Sequence, residues 1–236
     1  SPHGGGEGFT ERVIRLPCVS VYTAIEAPPP SPPPALRNGF VTFGCFNNPA
    51  KLNDGVLSVW ARVLAQVPDA RLRLKYQGWY QSPDLQARIV AVFKAAGVDP
   101  ARIEFRHGSW TLSEHLAGYD EVDIALDPFP FTGATASFEA LWMGAPVVTL
   151  CGDHMTARWS ASFLQTLKLH ELVAEHTDEY IANAVGLAGD LQRLEGLRAG
   201  LRARLASSSL CDGELRSRQL ERVYRALWRR HCKAAS

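Results

Sequence analysis

Three short stretches hold side chains that can do chemistry together. FNNPAK, residues 46–51, places two amides and a lysine directly after a run of β-branched and aromatic residues. HGSWTLSEH, 107–115, sets a tryptophan between two histidines, and DPFPFTGATASFE, 127–139, leads from a lone glycine through a Thr/Ser cluster to a carboxylate. Lys51 can neutralise a diphosphate, and Asn48 beside it can hydrogen-bond the same group. Gly133 lets an anion approach the main chain. The unpaired amides of a helix start at Ala134 and Thr135, with the helix dipole behind them, favour negative charge. The Thr135 hydroxyl adds a donor. Glu139, about one turn further on, is placed to accept both ribose hydroxyls of a nucleotide whose phosphates sit at the helix start. Trp110, through its backbone, and His115 can frame the base.

Each piece also has an ordinary reading. Thr135 and Ser137 can simply cap a helix, with Glu139 a solvated charge. A lysine near a helix start is usually exposed, Trp110 can be core, and His115 can be a half-exposed helix residue. The three stretches gain weight together, because each follows directly after a strand-like run.

The rest of the 236 residues must position them. With 46% apolar residues, 21% charged residues and a net charge of +1, the composition is that of a globular chain with no electrostatic case for nucleic acid or an anionic membrane surface. Apolar runs are too short to span a bilayer and the first residues lack a signal-peptide pattern, so a cytoplasmic protein is expected. The five cysteines are odd in number and never form CxxC, which indicates neither a disulfide framework nor a zinc site. The opening SPHGGGEGF has no methionine and suggests a segment of a longer polypeptide.

APPPSPPP, residues 27–34, cannot form helix or inner strand and reads as a stiff connector. Beyond it the pattern alternates. Strands are expected at 40–46, 71–76, 102–107, 122–127 and 146–150. Helices are expected from Asn53 to Val67, from a Ser82 cap and Pro83 to Gly97, from a Ser113 cap to Tyr119, and from Thr135 to Met143. Such alternation with short connections requires right-handed crossovers and a parallel sheet covered on both faces, hence a doubly wound, Rossmann-like α/β fold. Past Thr156 the strand signals stop. Three helical stretches follow, the last with Leu215, Leu220, Val223, Tyr224 and Leu227 on one side, expected to cover the sheet and pack on whatever precedes this segment. In an open parallel sheet, ligands bind beyond the carboxyl ends of the strands, where all three stretches fall. Neither GxGxxG nor GxxxxGK[ST] occurs, which argues against a nicotinamide enzyme or a P-loop ATPase.

FVTFGCFNNPAKLNDGVLSVW, ALDPFPFTGATASFEALWMGAPVVTL and the closing LERVYRALW resemble the carboxyl-terminal half of the catalytic region of O-linked N-acetylglucosamine transferases, glycosyltransferase family 41, above all its bacterial members. The resemblance implies a GT-B enzyme of two Rossmann-like lobes. Residues 1–35 would end the preceding lobe and form a Pro-rich linker, and 36–236 would be the lobe that holds UDP. It further implies that Lys51 contacts the diphosphate and steadies the leaving group, with Asn48 beside it. Trp110 would meet the uracil and His115 the uridine and phosphate. Gly133, Ala134 and Thr135 would face the phosphates, and Glu139 the ribose. Thr132 stands where asparagine is frequent and Ala136 where a second threonine is usual.

The implied reaction is inverting sugar transfer from a UDP-sugar to a protein Ser or Thr, with no metal and no cofactor. The general base and tetratricopeptide repeats for the protein acceptor would lie upstream. Competing expectations are a relative using UDP-glucose or GDP-fucose, a non-catalytic interaction module, and, more weakly, a two-lobed nucleotide-sugar epimerase.

Overall fold

The computed structural model of the chain describes residues 10, 13–16, 20–108 and 111–235. Within them the chain runs through α1 (Ala35–Asn38), β1 (Thr42–Cys45), α2 (Asp54–Gln66), β2 (Arg71–Lys75), α3 (Pro83–Ala95), β3 (Ile103–Arg106), α4 (Leu112–Ala117), β4 (Ile124–Leu126), α5 (Thr135–Trp142) and β5 (Val147–Leu150). It continues through α6 (Trp159–Thr166), β6 (Val173–Ala174), α7 (Thr177–Ala188), α8 (Leu191–Ala206) and α9 (Gly213–Ala235). The strands form one parallel sheet in the order β3-β2-β1-β4-β5-β6. This is the doubly wound order, in which the winding direction reverses between β1 and β4 and opens a crevice at their carboxyl ends.

Local chemistry explains the elements. Asn53 caps α2 by accepting from the Val56 amide, and Val56, Leu57, Trp60, Val63 and Leu64 line its fully buried face. Burying each large apolar side chain of this kind contributes about 1.5–3 kcal/mol. Ser82 accepts from the Leu85 amide ahead of Pro83 in α3, and Gly97, at φ 77°, ends that helix in the left-handed region. Between β1 and the entry to β4 there is no room for a side chain at Gly44, where a Cβ would lie 2.6 Å from the methyls of Val122.

Four expectations need correction. The cap of α4 is Thr111, not Ser113: Thr111 accepts from the Glu114 amide while the Glu114 carboxylate takes the Thr111 amide. A sixth strand exists past Thr156, with Thr149 paired to Val173 and Leu150 to Ala174; two residues are too few to show a period. A separate helix, α8, begins where Asp190 accepts from the Arg193 amide. Finally, α9 does not bury its apolar side: Tyr224, Leu227 and Trp228 are exposed.

The Pro-rich segment lies against the lobe. Arg198, a buried side chain of α8, donates to the carbonyls of Ser31 at 2.6 Å, Val122 at 2.6 Å and Tyr119 at 2.9 Å. One turn on, Arg202 donates to Trp142 O at 2.6 Å and Ala27 O at 3.2 Å. Trp142 Nε1 donates to Ile25 O, and the Tyr22 ring stacks on Phe138 at 4.6 Å.

Candidate functional site

The sheet delivers two of its strand ends to one crevice. After β1 the chain leaves as Phe46-Asn47-Asn48 and tightens into a 3-10 turn, Pro49–Lys51, capped by the Asn48 side chain accepting from Ala50 N at 2.9 Å. Asn48 therefore fixes the turn that aims Lys51. The Lys51 Nζ donates to Asn47 Oδ1 at 3.0 Å and to the Thr132 carbonyl at 2.9 Å, and lies 4.5 Å from the centre of the half-exposed Phe131 ring. Burial pushes this ammonium below the usual lysine range, and the nearby Asp127 charge opposes that shift.

After β4 the loop turns about Asp127, whose side chain is buried. Its Oδ1 accepts from the Gly133 amide at 2.7 Å and its Oδ2 from the Thr149 hydroxyl at 2.7 Å, while its own carbonyl accepts from Tyr180 at 3.1 Å. Burial raises the Asp127 carboxyl above the ordinary range, against the hydrogen bonds from Thr149, Ser160 and Gly133 and the charge of Lys51. A Cβ at Gly133 would overlap the Ser137 hydroxyl and come within 2.9 Å of Asp127 Oδ1, so glycine is required there.

This geometry corrects the expectation for Gly133. Its amide is spent inside the protein on Asp127, and only the following amides remain. Among the described residues the main-chain N–H groups of Ala134, Thr135 and Ala136 have no main-chain acceptor. The capping alternative for Thr135 and Ser137 also fails: the cap of α5 is Ala134, with no side-chain cap bond. Ser137 pairs instead with Ser160, at 2.8 Å, and Ser160 donates to Gly133 O. Thr135 is exposed at the first helical position. The Thr132 hydroxyl is directed away, to Thr156 O at 2.7 Å.

One turn along α5, Glu139 is buried rather than solvated, and its Oε2 lies 3.0 Å from His115 Nε2 on α4. The imidazole packs beside Phe46 and Tyr119, with ring centroids 5.9 Å away in each case. Tyr119 donates to Ala136 O at 3.1 Å, tying the α4 side to the start of α5. Between the ends of β1 and β4 lies a small recess of about 10 Å³, lined among others by Gly44, Phe46, Asn47, Tyr119, Asp127 and Ala136. Trp110 lies outside the described residues. Tyr119 and Asp127 are parts of the site that no sequence motif marks, and of the two amides in FNNPAK it is Asn47 that meets Lys51.

The arrangement offers a cation and free amides at one end and a buried carboxylate with its histidine at the other. Among the described residues no cluster of three or more His, Cys, Asp or Glu is arranged to hold a metal ion. No helix among them is long and apolar enough to cross a membrane.

Sheet order and crevice together define the fold of one lobe of a GT-B glycosyltransferase. Residues 34–220 match the model of glycosyl transferase family 41, and the chain belongs to that family. It is 40% identical over 98% of its length to a protein of Solanum lycopersicum named probable UDP-N-acetylglucosamine–peptide N-acetylglucosaminyltransferase SPINDLY, and covers 25% of that relative. It is 30% identical over 83% of its length to the UDP-N-acetylglucosamine–peptide N-acetylglucosaminyltransferase of Caenorhabditis elegans, covering 17% of it. The chain thus spans about a quarter or less of the length of these relatives. Among solved structures it superposes on an O-GlcNAc transferase mutant of Thermobaculum terrenum with a TM-score of 0.77 and 40% identity, covering 89% of this chain and 40% of that one. TarM of S. aureus, at 10% identity and a TM-score of 0.58, shares the fold.

Proposed function

We propose that this chain is the donor-binding lobe of an inverting, metal-independent transferase that passes N-acetylglucosamine from UDP-GlcNAc to Ser or Thr hydroxyls of proteins. The observation that carries the reading is the bond from Lys51 to Thr132 O, which sets a partly desolvated ammonium beside the unpaired amides that open α5. Negative charge grows on UDP as the bond from sugar to phosphate breaks, and fixed donors in a partly dry site meet that charge without reorganising. Glu139, one turn further along, is a carboxylate suited to the ribose hydroxyls, and His115 holds its other side.

The remaining chemistry falls to parts of the enzyme other than this lobe. The acceptor hydroxyl must lose its proton, and in this crevice Lys51 is a cation while His115 is engaged with Glu139. The base belongs to the facing lobe, and helical repeats further upstream bind the acceptor protein. A cytoplasmic location and independence from any cofactor are part of the same proposal.

Titration calorimetry of the chain with UDP tests it. UDP binds the wild type, GDP competes poorly, and Lys51→Ala weakens UDP by at least roughly tenfold, the scale of one charge-assisted hydrogen bond. A wild-type chain that takes up no UDP rules out the donor-lobe reading and leaves a non-catalytic interaction module. Preference for GDP changes the donor and keeps the enzyme class.

A further inference from the structure

The charged residues of β2 divide into two kinds. Arg71, Arg73 and Lys75 alternate along the strand and share a face of the sheet. Arg73, 9% exposed, is neutralised in the usual way: Glu104 approaches at 2.7 Å and Glu121 closes on its other side. Lys75, two residues nearer the crevice and 6% exposed, has no carboxylate within ion-pair distance among the described residues. Its Nζ reaches the main-chain carbonyl of His115 at 3.3 Å and lies 5.0 Å from the centre of the Phe46 ring.

A lone buried ammonium is costly, and burial pushes it below the ordinary lysine range. Glu114 on α4 and Glu139 on α5 pull the other way, as does Glu121, while Arg73 adds to the depression. The fold nevertheless makes room for it. A Cβ at Gly118 would stand 2.8 Å from Nζ and 3.1 Å from the Phe46 ring. A purely structural residue here would be better served by a thioether or a leucine, which need no partner.

We propose that Lys75 is a positioning residue for the nucleoside end of the donor site: through the carbonyl of His115 it sets the imidazole against Glu139, the carboxylate that meets the ribose. The inference rests on the donor-lobe reading. It differs from the role of Lys51, which faces the phosphates. Lys75 acts behind the histidine, so its effect falls on uridine and UDP alike.

The test compares uridine and UDP binding by calorimetry with thermal melting, in wild type, Lys75→Met and Gly118→Ala. Lys75→Met keeps the length and removes the charge. It melts at the same temperature or higher, yet binds both uridine and UDP roughly tenfold more weakly, as for a lost charge-assisted contact. The ¹⁵N signals of the His115 ring shift in the same variant. Gly118→Ala keeps the charge but crowds Nζ, and weakens uridine in the same sense. Lys51→Ala, by contrast, weakens UDP far more than uridine. The proposal is overturned if Lys75→Met binds both ligands like wild type with unshifted His115 signals, or if its affinity falls only in step with a lower melting temperature. A wild-type chain that binds neither ligand overturns it together with the donor-lobe reading, a result seen before any variant is made.

Discussion

His115 Nε2 stands 3.0 Å from Glu139 Oε2, across the gap between α4 and α5, and this contact closes one end of the crevice. Glu139 is only 8% exposed, so its carboxylate is held by the protein and not by water. On the proposed donor-lobe reading, Glu139→Ala removes the acceptor for the ribose hydroxyls and weakens UDP by roughly 10- to 100-fold, the range for hydrogen bonds to a charged group. The preference for UDP over 2′-deoxy-UDP shrinks in the same variant. Competition calorimetry with the two nucleotides checks both outcomes.

The Lys51 ammonium sets a pH dependence. Burial lowers its pKa, so it loses its proton at lower pH than an exposed lysine, whose value is about 10.4. On the proposed reading, affinity for UDP needs the charged form and therefore falls as pH rises through the lowered folded value. Stability moves the other way. In the window between the folded and unfolded values the unfolded chain binds more protons, so folding gains as pH rises. Parallel titrations of UDP affinity and urea stability on the alkaline side separate the two trends, and Lys51→Met removes the part of each that Lys51 contributes, leaving the stability trend of the likewise lowered Lys75.

Gly133 is the tightest point of the loop between β4 and α5. Alanine there drives a methyl into the Ser137 hydroxyl and against Asp127 Oδ1. Overpacking of this kind costs about 1–3 kcal/mol, and each kcal/mol lowers the melting temperature of a domain this size by about 2–4 °C. Calorimetric melting measures that loss. UDP binding at a temperature where the variant is fully folded falls further, because the Asp127 to Gly133 bond that orients the next amides is broken.

Arg198 holds three main-chain carbonyls from two separate segments. Arg198→Ala removes a donor from the Ser31 and Val122 carbonyls, while Tyr119 O keeps the Val122 amide, and destabilises the lobe by about 2 kcal/mol or more, given a cost of about 1–3 kcal/mol for each buried group left unsatisfied. Arg198→Lys recovers only part of this, since an ammonium lacks the planar fork that spans them. Denaturant unfolding of the two variants gives the comparison.

The main strands and the helices between them were legible because each is long enough to show a period of two or of 3.6 residues. The cap of α4 is written in the sequence as well: Thr111 and Glu114 have the capping-box spacing, which Ser113, with Leu116 three residues on, lacks. What escaped depended on contacts distant in sequence. Asp before Pro is an ordinary turn residue, and nothing local reveals that Asp127 is buried beneath Gly133 and Thr149. The division of labour between Asn47, which meets Lys51, and Asn48, which caps the turn, is decided by which way the chain faces as it leaves β1. The two-residue β6 exists only because β5 offers it an edge.

The strap of prolines is gripped chiefly through its backbone oxygens: Arg202 reaches Ala27 O, Arg198 reaches Ser31 O, and Trp142 reaches Ile25 O. A clamp of that kind senses the path of the polypeptide and is indifferent to most of its letters. The exposed positions of the strap, Pro28, Pro29 and Pro32, are thus free to vary wherever an extended course is kept, while Ser31, whose hydroxyl bonds Asp120, and the two arginines and the indole that read the strap are not.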